Sequence, residues 1–388
     1  MKILVVLSRF PFPLEKGDKL RAFHQIRCLS EKHDIYLAAM HDGPVSDSDI
    51  QQLTPYCRRI FLLEQSAVRR CFNLARAFLR GLPLQCGYFY NEQNNRKIKQ
   101  IIADIQPDHI YCQLFRMAEY VRYSPVPKTL DYQDVFSKGM LRRYEKASWL
   151  TRPFYKMEHK RISRYEAEIF DCFDGKTIIT AVDRDLIPHK DKAQIAVVPN
   201  GVDFDTFSYH NEEKKYDLIF TGNMNYAPNV DAAAYLATEI FPQLKKEFPM
   251  LRLVLCGATP TARVKALQSE DIIVTGWVDS TAEWYAQSRI FVAPMRMGTG
   301  LQNKLLEAMS MQLPCVTSPL AGKPLVTAES EQAIITCSTT SGYVEAIARL
   351  LRDTEYHQLL ASNGNAFVHN HYDWHNATGK LEKVISGK

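Results

Sequence analysis

Arg296, Lys304 and Glu307, with Gly298 and Gly300 between them, have types and spacing that suggest anion chemistry. The apolar, β-branched run 290–294 reads as a buried strand, 295–300 as a tight glycine loop, and 302–312 as a helix carrying Leu305, Leu306 and Met309 at helical spacing. First-turn N–H groups of such a helix lack internal partners, and its dipole adds ~0.3–1 kcal/mol of attraction for a nearby anion. Arg296 before the loop and Lys304 in the first turn would add charge-assisted bonds worth ~1.5–3 kcal/mol each, which together suit a diphosphate. Glu307 follows Lys304 by one turn, and its two oxygens are able to accept both hydroxyls of a ribose. A second reading stays open from these residues alone: a surface Lys–Glu pair worth ~0.2–0.5 kcal/mol, with glycines that only close a turn.

Placing such a loop requires a parallel sheet, and the chain supplies the pattern twice. Strands are expected at 2–7, 34–40, 60–63, 109–113, 128–132, 176–180 and 194–198, then again at 218–221, 253–256, 272–275, 290–293, 315–317 and 333–336, with helical stretches between them. The expected fold class is therefore α/β. Asp131, Asp134 and Lys138 follow the fifth strand at its C-terminal end, where ligands gather in open α/β sheets. They are candidates for a ligand pocket, and Asp134 also reads as a helix N-cap. His109, at the start of its strand, reads as structural.

Residues 69–80 form a basic amphipathic segment, with Phe72, Ala75 and Leu79 on one face and Arg69, Arg70, Arg76 and Arg80 around it. Such a segment suits the surface of an anionic leaflet, and a core-facing helix explains it equally well. The polar run 208–215 suits a linker.

Composition narrows the function classes. A chain of 388 residues accommodates two ordinary domains, and a net charge of +5 gives no strong case for nucleic acid. Nine scattered cysteines, several inside apolar runs and none in a CxxC, fit reduced thiols better than disulfides or structural zinc. The opening apolar run reaches Ser8-Arg9 too soon for a signal peptide, and no stretch approaches the ~18 apolar residues of a membrane span. The expected location is the cytoplasm, with peripheral contact at the inner face of the membrane through the basic segment.

The stretch 289–318 resembles the signature of family 4 glycosyltransferases (glycosyl transferases group 1), retaining enzymes of GT-B fold that use nucleotide-sugar donors. Glu307-Ala308-Met309 and the Pro314-Cys315-Val316 strand start match that signature, whereas the glutamate expected eight positions before Glu307 is replaced by Thr299. The opening Gly17-Asp18-Lys19-Leu20-Arg21 and the Gly298-x-Gly300-x-x-x-Lys304-x-x-Glu307 pattern bring the chain nearest to the exopolysaccharide sugar transferases of the family.

The resemblance implies two Rossmann-like doubly wound domains facing a cleft: an acceptor-side domain over 1–202, a linker over 203–215, a nucleotide-sugar domain over 216–368 and a C-terminal helix over 369–388 packing back on the first. The tract Val198 to Asp203 matches the one that closes the first domain in these enzymes. The resemblance implies that Glu307 holds the ribose, that Gly276, Trp277 and Val278 hold the base, and that Gly222 and Asn223 form the first phosphate loop. Relatives carry an Arg and a Lys in that first loop; here neither is present, which leaves Arg296 and Lys304 as substitutes. Gly298, Thr299, Gly300, Leu301, Gln302 and Asn303 form the donor sugar and phosphate loop. Gly17 would let the backbone approach the donor, Lys19 and Arg21 are candidates for an acceptor phosphate, and Asp131 and Asp134 are candidates for the acceptor pocket. The family histidine beside the reacting carbon aligns with Gln113, which binds a hydroxyl but moves no proton.

The expectation is a metal-independent retaining transfer of a hexose from a nucleotide diphosphate sugar to a lipid-linked glycan. No cofactor is expected beyond that donor, and Arg296 and Lys304 would stabilise the leaving group. Two rivals remain: a non-catalytic subunit that binds nucleotide or glycan, for which Gln113 and Thr299 are the grounds, and a nucleotide-sugar epimerase on the same fold.

Overall fold

The computed structural model describes residues 1–14, 16–41, 43–65, 67–298, 300–325 and 332–387. The chain divides into two compact units, Met1–Pro199 with Trp374–Lys388, and Asn200–Asp373. Each contains a sheet whose paired strands are all parallel and whose order reverses beside its first strand.

The first sheet runs in the order β3-β2-β1-β4-β5-β6-β7. Its strands are β1 (Lys2–Leu7), β2 (Asp34–His41), β3 (Arg59–Glu64), β4 (His109–Gln113), β5 (Lys128–Asp131), β6 (Gly175–Ile178) and β7 (Ala196–Val197). Burial on both faces explains why β1 is continuously apolar. Leu4 and Val6 enter the core on one side of the sheet, while Ile3, Val5 and Leu7 enter the core on the other, the period of two that a strand imposes. The helix Gly17–Ser30 covers the second side, and the C-terminal helix Trp374–Ser386 packs beside it. Trp374 stacks on His24 at 4.8 Å, Lys32 bonds Glu382 at 2.9 Å, and Leu381 and Ile385 enter the same core as Val5.

Beneath that helix lies a fully buried ion pair. Arg21 donates from Nε to Asp131 Oδ2 at 2.7 Å and from Nη2 to Oδ1 at 3.1 Å, and neither residue has any exposed surface. Tyr111 and Thr177 donate further hydrogen bonds to the same carboxylate at 3.0 and 2.8 Å. Arg21 and Asp131, expected to contact acceptor, instead clamp the Gly17–Ser30 helix to β4, β5 and β6. Desolvation on this scale is tolerable because every carboxylate oxygen has donors.

The second sheet repeats the order as β10-β9-β8-β11-β12-β13. Its strands are β8 (Tyr216–Thr221), β9 (Leu253–Cys256), β10 (Ile272–Gly276), β11 (Ser288–Ala293), β12 (Cys315–Thr317) and β13 (Ile335–Thr336). The linker expected over 203–215 lies within this unit, which begins at Asn200, and 208–215 is exposed and without regular structure. Val202 lies in its core and bridges Asp373, and Phe204 stacks on His369 at 4.0 Å. All nine cysteines are free thiols. Among the described residues, no helix is long and apolar enough to cross a membrane.

Asp131→Ala is expected to lower unfolding free energy by about 3–5 kcal/mol, because it leaves Arg21 charged, buried and unpaired. Arg21→Met/Asp131→Leu should recover most of that loss in urea denaturation. An Asp131→Ala protein within about 1 kcal/mol of wild type would show that the pair does not hold the sheet.

Candidate functional site

In the second unit the strand order reverses between β8 and β11, so the loops after these two strands flank the crevice where open α/β sheets bind ligands. After β8 comes Gly222, and after β9 comes Gly257. A Cβ on Gly257 would stand 1.9 Å from the Gly222 carbonyl oxygen, and one on Gly222 would stand 2.9 Å from Lys304 Nζ. Close backbone approach therefore requires glycine at 257, while a side chain at 222 would crowd the ends of Asn229 and Lys304. After β11 the loop turns through Gly298 (φ 121°) and Gly300 (φ 71°) into the helix Asn303–Ser310, whose N-cap residue, Gln302, makes no side-chain capping bond.

Lys304 lies in the first turn of that helix, half-buried, with Nζ donating to Asn229 Oδ1 at 2.6 Å and lying 4.7 Å above the Phe220 ring. Desolvation pushes its pKa down to about 7, against a partial pull upward from Glu307. Glu307, one turn on and also half-buried, accepts a hydrogen bond from the Tyr285 hydroxyl at 3.2 Å. Desolvation pushes its pKa up to about 7, opposed by that bond and by the Lys304 charge. Thr221, the last residue of β8, fixes the Tyr285 hydroxyl at 2.6 Å. The result is a cation and an anion on one helix, both held short of full ionisation by burial.

Arg296 does not join them. Its Nε and Nη2 donate to Asp231 at 2.9 and 2.7 Å, and its guanidinium lies 4.4 Å over the Tyr235 ring. Asn229 and Asp231 belong to one helix, Ala227–Tyr235. Residues two apart point about 200° from one another around a helix axis, so Lys304 and Arg296 meet it from different sides. The expected double substitute for the missing phosphate cations is thus reduced to Lys304.

Asn223 braces the crevice. Its Oδ1 accepts from Asn225 N at 3.0 Å and Thr259 Oγ1 at 2.9 Å, and its carbonyl accepts from Asn229 Nδ2 at 2.9 Å. Asn303 accepts from Asn200 at 3.0 Å, Gln302 Nε2 donates to Gly300 O at 3.4 Å, and Leu301 packs on the core. Gly276 adopts φ 72° at the end of β10, Trp277 is 63% exposed, and Val278 packs on the core. That leaves the Trp277 indole face open to a base. Thr299 lies outside the described residues.

The first unit has a matching reversal between β1 and β4. Ser8, after β1, accepts from Arg116 Nε at 3.1 Å, and Asp18 accepts from both Arg116 (3.1 Å) and Arg9 (2.6 Å). Burial and the neighbouring Arg9 charge push the Arg116 pKa down to about 10. Beside them opens a cavity of about 410 Å³ with Arg9, Lys16 and Lys19 among its cations and Phe12, Tyr88 and Phe89 among its walls. Lys19 thus lines a pocket, as an acceptor residue would, while Arg21 and Asp131 lie buried. Asp134 accepts from Val135 N at 2.7 Å, and Val135 holds the N-cap position that the sequence offers to Asp134. A Cβ on Gly17 would meet nothing within 4 Å, so the described structure imposes no need for glycine there. Gln113, at the end of β4, is buried with Nε2 unpartnered, and so is Gln133 just past β5. Each orphaned donor costs about 1–3 kcal/mol unless a ligand accepts from it. Among the described residues, no three His, Cys, Asp or Glu side chains gather to hold a metal ion.

Asn229, Tyr285, Arg116 and Gln133 are absent from the sequence-level candidates. Asn229 and Tyr285 reach the site by contacts spanning 75 and 22 residues, which no local spacing announces. Position two residues past the C-terminal end of β5, where open α/β sheets gather ligands, was the available signal for Gln133.

The unliganded site has an opposite-signed effect on stability either side of neutrality. Glu307 keeps its proton in the fold up to about pH 7 against 4.5 ordinarily, so stability should fall as pH rises between these values. Lys304 loses its proton in the fold above about pH 7 against 10.5 ordinarily, so stability should rise again over that interval. Glu307→Gln should flatten the first limb and Lys304→Met the second, each by on the order of 2 kcal/mol, in urea melts at acidic, neutral and alkaline pH. Limbs unchanged in both variants would contradict the assignment.

Residues 215–353 match the family model described as "Glycosyl transferases group 1". Over 397 residues the chain is 21% identical to the 44.6 kDa protein in cps region of Klebsiella pneumoniae, covering 96% of each. Sucrose-phosphate synthase from Thermosynechococcus elongatus superposes with TM-score 0.72 at 15% identity, over 100% of this chain and 99% of that one. Anabaena Alr3699/HepE, solved in complex with UDP and glucose, superposes with TM-score 0.71 at 13% identity, over 100% of both chains. With two parallel sheets in the same strand order and these neighbours superposing over its full length, the chain has the GT-B fold, and its residues 215–353 are similar to the glycosyl transferases group 1.

Proposed function

We propose that this protein is a glycosyltransferase that moves a hexose from a nucleotide diphosphate sugar, with UDP as the nucleotide, to a glycan acceptor, and that it retains configuration at the anomeric carbon. The observation that carries the reading is the Lys304–Glu307 pair. A diphosphate at the Asn303–Ser310 N-terminus would restore full charge to Lys304, and two ribose hydroxyls donating to Glu307 would restore its carboxylate. Trp277 offers its exposed face to the base. HepE, which shares the fold, holds UDP and glucose in its own structure.

In the transfer, an acceptor hydroxyl oxygen attacks the anomeric carbon from the face the phosphate leaves. The bond from carbon to phosphate oxygen breaks as the new glycosidic bond forms, and the departing diphosphate takes the hydroxyl proton. This route needs no protein nucleophile or proton carrier, so Gln113 in place of histidine leaves it intact. Lys304 and the helix N-terminus stabilise the leaving charge in a half-buried site, where such stabilisation counts for more than in water. No step calls on a metal ion.

The acceptor reading rests on the first unit's cavity. Three cations at an aromatic-walled pocket suit a phosphate-bearing, lipid-linked glycan, and the cps-region relative supports a precursor of exopolysaccharide or cell-surface polysaccharide. Gln113 and Gln133 supply unsatisfied donors for sugar hydroxyls.

Titration calorimetry with UDP, GDP and ADP should give micromolar binding for UDP alone. Glu307→Ala should weaken it roughly ten- to hundredfold, the loss of one or two hydrogen bonds to a charged group. Release of UDP from a UDP-sugar should then depend on added lipid-linked acceptor. Wild-type affinity in Glu307→Ala would remove the ribose assignment, and donor turnover to an epimeric sugar without acceptor would replace transfer with epimerisation.

A further inference from the structure

The helix Ala67–Leu79 turns its apolar stripe outward. Phe72, Ala75 and Leu79 lie on one face at helical spacing, yet all three are exposed, Phe72 to 77% and Leu79 to 84%. The helix seats itself through Asn73, which donates to Tyr90 O at 2.7 Å, and through Ala77, whose Cβ leaves no room for one on Gly87. Core packing therefore does not account for the stripe.

A second exposed apolar group lies on the neighbouring element. Trp149 (80% exposed) and Leu150 precede the helix Arg152–Glu168, and Phe154 is exposed in its first turn. The same helix grips the end of the first one: Arg161 bonds the carbonyls of Phe78 and Leu82 and covers the Phe78 ring at 4.5 Å, and Arg164 bonds Gly81 O. Phe154 lies seven residues before Arg161, two turns back on the same side and about 10 Å along the axis.

Charge is concentrated in the same two stretches. Residues 67–84 and 136–164 contain thirteen Lys and Arg against Glu145 and Glu158, while the rest of the sequence has 35 basic and 41 acidic residues. Glu158 is itself buried, accepting from Leu84 N at 2.7 Å. A chain of modest net charge thus has one strongly cationic, apolar-studded surface and an otherwise acidic remainder.

We infer that this surface, formed by the Ala67–Leu79 helix and the start of the Arg152–Glu168 helix, docks on an anionic lipid bilayer. Phe72, Leu79, Trp149 and Leu150 enter the headgroup boundary, while Arg76, Arg80, Arg152 and Lys156 pair with lipid phosphates. Apolar side chains interleaved with arginine, and a tryptophan among them, are the chemistry of an interfacial anchor. An acidic protein would also supply the charge, but the recess beside Arg76 and Arg80 is lined by Asn73, Ala77, Gly87 and Tyr90 and takes in none of the exposed apolar side chains, which an anionic bilayer engages together with the arginines. The inference stands independently of the transferase reading, since vesicle binding needs no donor.

The test is vesicle flotation of the full chain with phosphatidylcholine alone and with phosphatidylcholine plus phosphatidylglycerol. The protein should float only with the anionic vesicles, and high salt should weaken binding. Phe72→Ser/Leu79→Ser and Trp149→Ser/Leu150→Ser should each lower binding roughly tenfold while leaving UDP affinity and thermal unfolding unchanged; Arg76→Glu/Arg80→Glu should do the same. A wild-type chain that stays with the unbound fraction overturns the inference. So does binding that survives both apolar double variants, or self-association removed by Leu79→Ser without vesicle binding, which would give this face to a second copy.

Discussion

Desolvation of Lys304 and Glu307 is the constraint on which the candidate site depends. Both charges occupy one helix beside backbone that glycines bring close, and both are pulled toward neutrality from opposite sides. Asn229 accepts one hydrogen bond from Lys304, and Tyr285, held by Thr221, donates one to Glu307, enough to orient the two groups but short of what full ionisation calls for. A ligand carrying two phosphates and two vicinal hydroxyls completes both sets of bonds at once. Binding energy and recognition then have one physical source, the recovery of charge in a poorly solvated place.

The repeated topology explains why the site stands where it does. Both sheets reverse beside their first strand, so in each unit the loops after the first and fourth strands diverge and leave a crevice. In the second unit glycines fill it with backbone. In the first unit side chains fill it: Ser8, Asp18 and Arg116 cross-link the two loops, and the cationic cavity opens next to them. One topology thus yields a phosphate cradle in one unit and a charged, aromatic pocket in the other.

The sheets were legible because parallel strands buried on both faces are written as uninterrupted apolar runs; β1, β4, β9 and β12 stand where those runs lie. Glu307, Lys304 and their glycine loop were legible because one helix and one loop carry them all. Distribution of charge among partners was not. Whether an arginine serves a ligand or a carboxylate depends on residues far along the chain, such as Asp231 for Arg296 and Asp131 for Arg21. The outward stripe of Phe72, Ala75 and Leu79 has the same periodicity as a buried one, so spacing alone could not tell which side faced the core.

The most direct measurement is proton exchange on binding a UDP-sugar, whose diphosphate has no proton to trade near neutrality, by calorimetry in buffers of different ionisation enthalpy. Charge recovery predicts proton release below about pH 7, lost in Glu307→Gln, and proton uptake above it, lost in Lys304→Met. Tight binding with no proton exchanged on either side of pH 7 would contradict it.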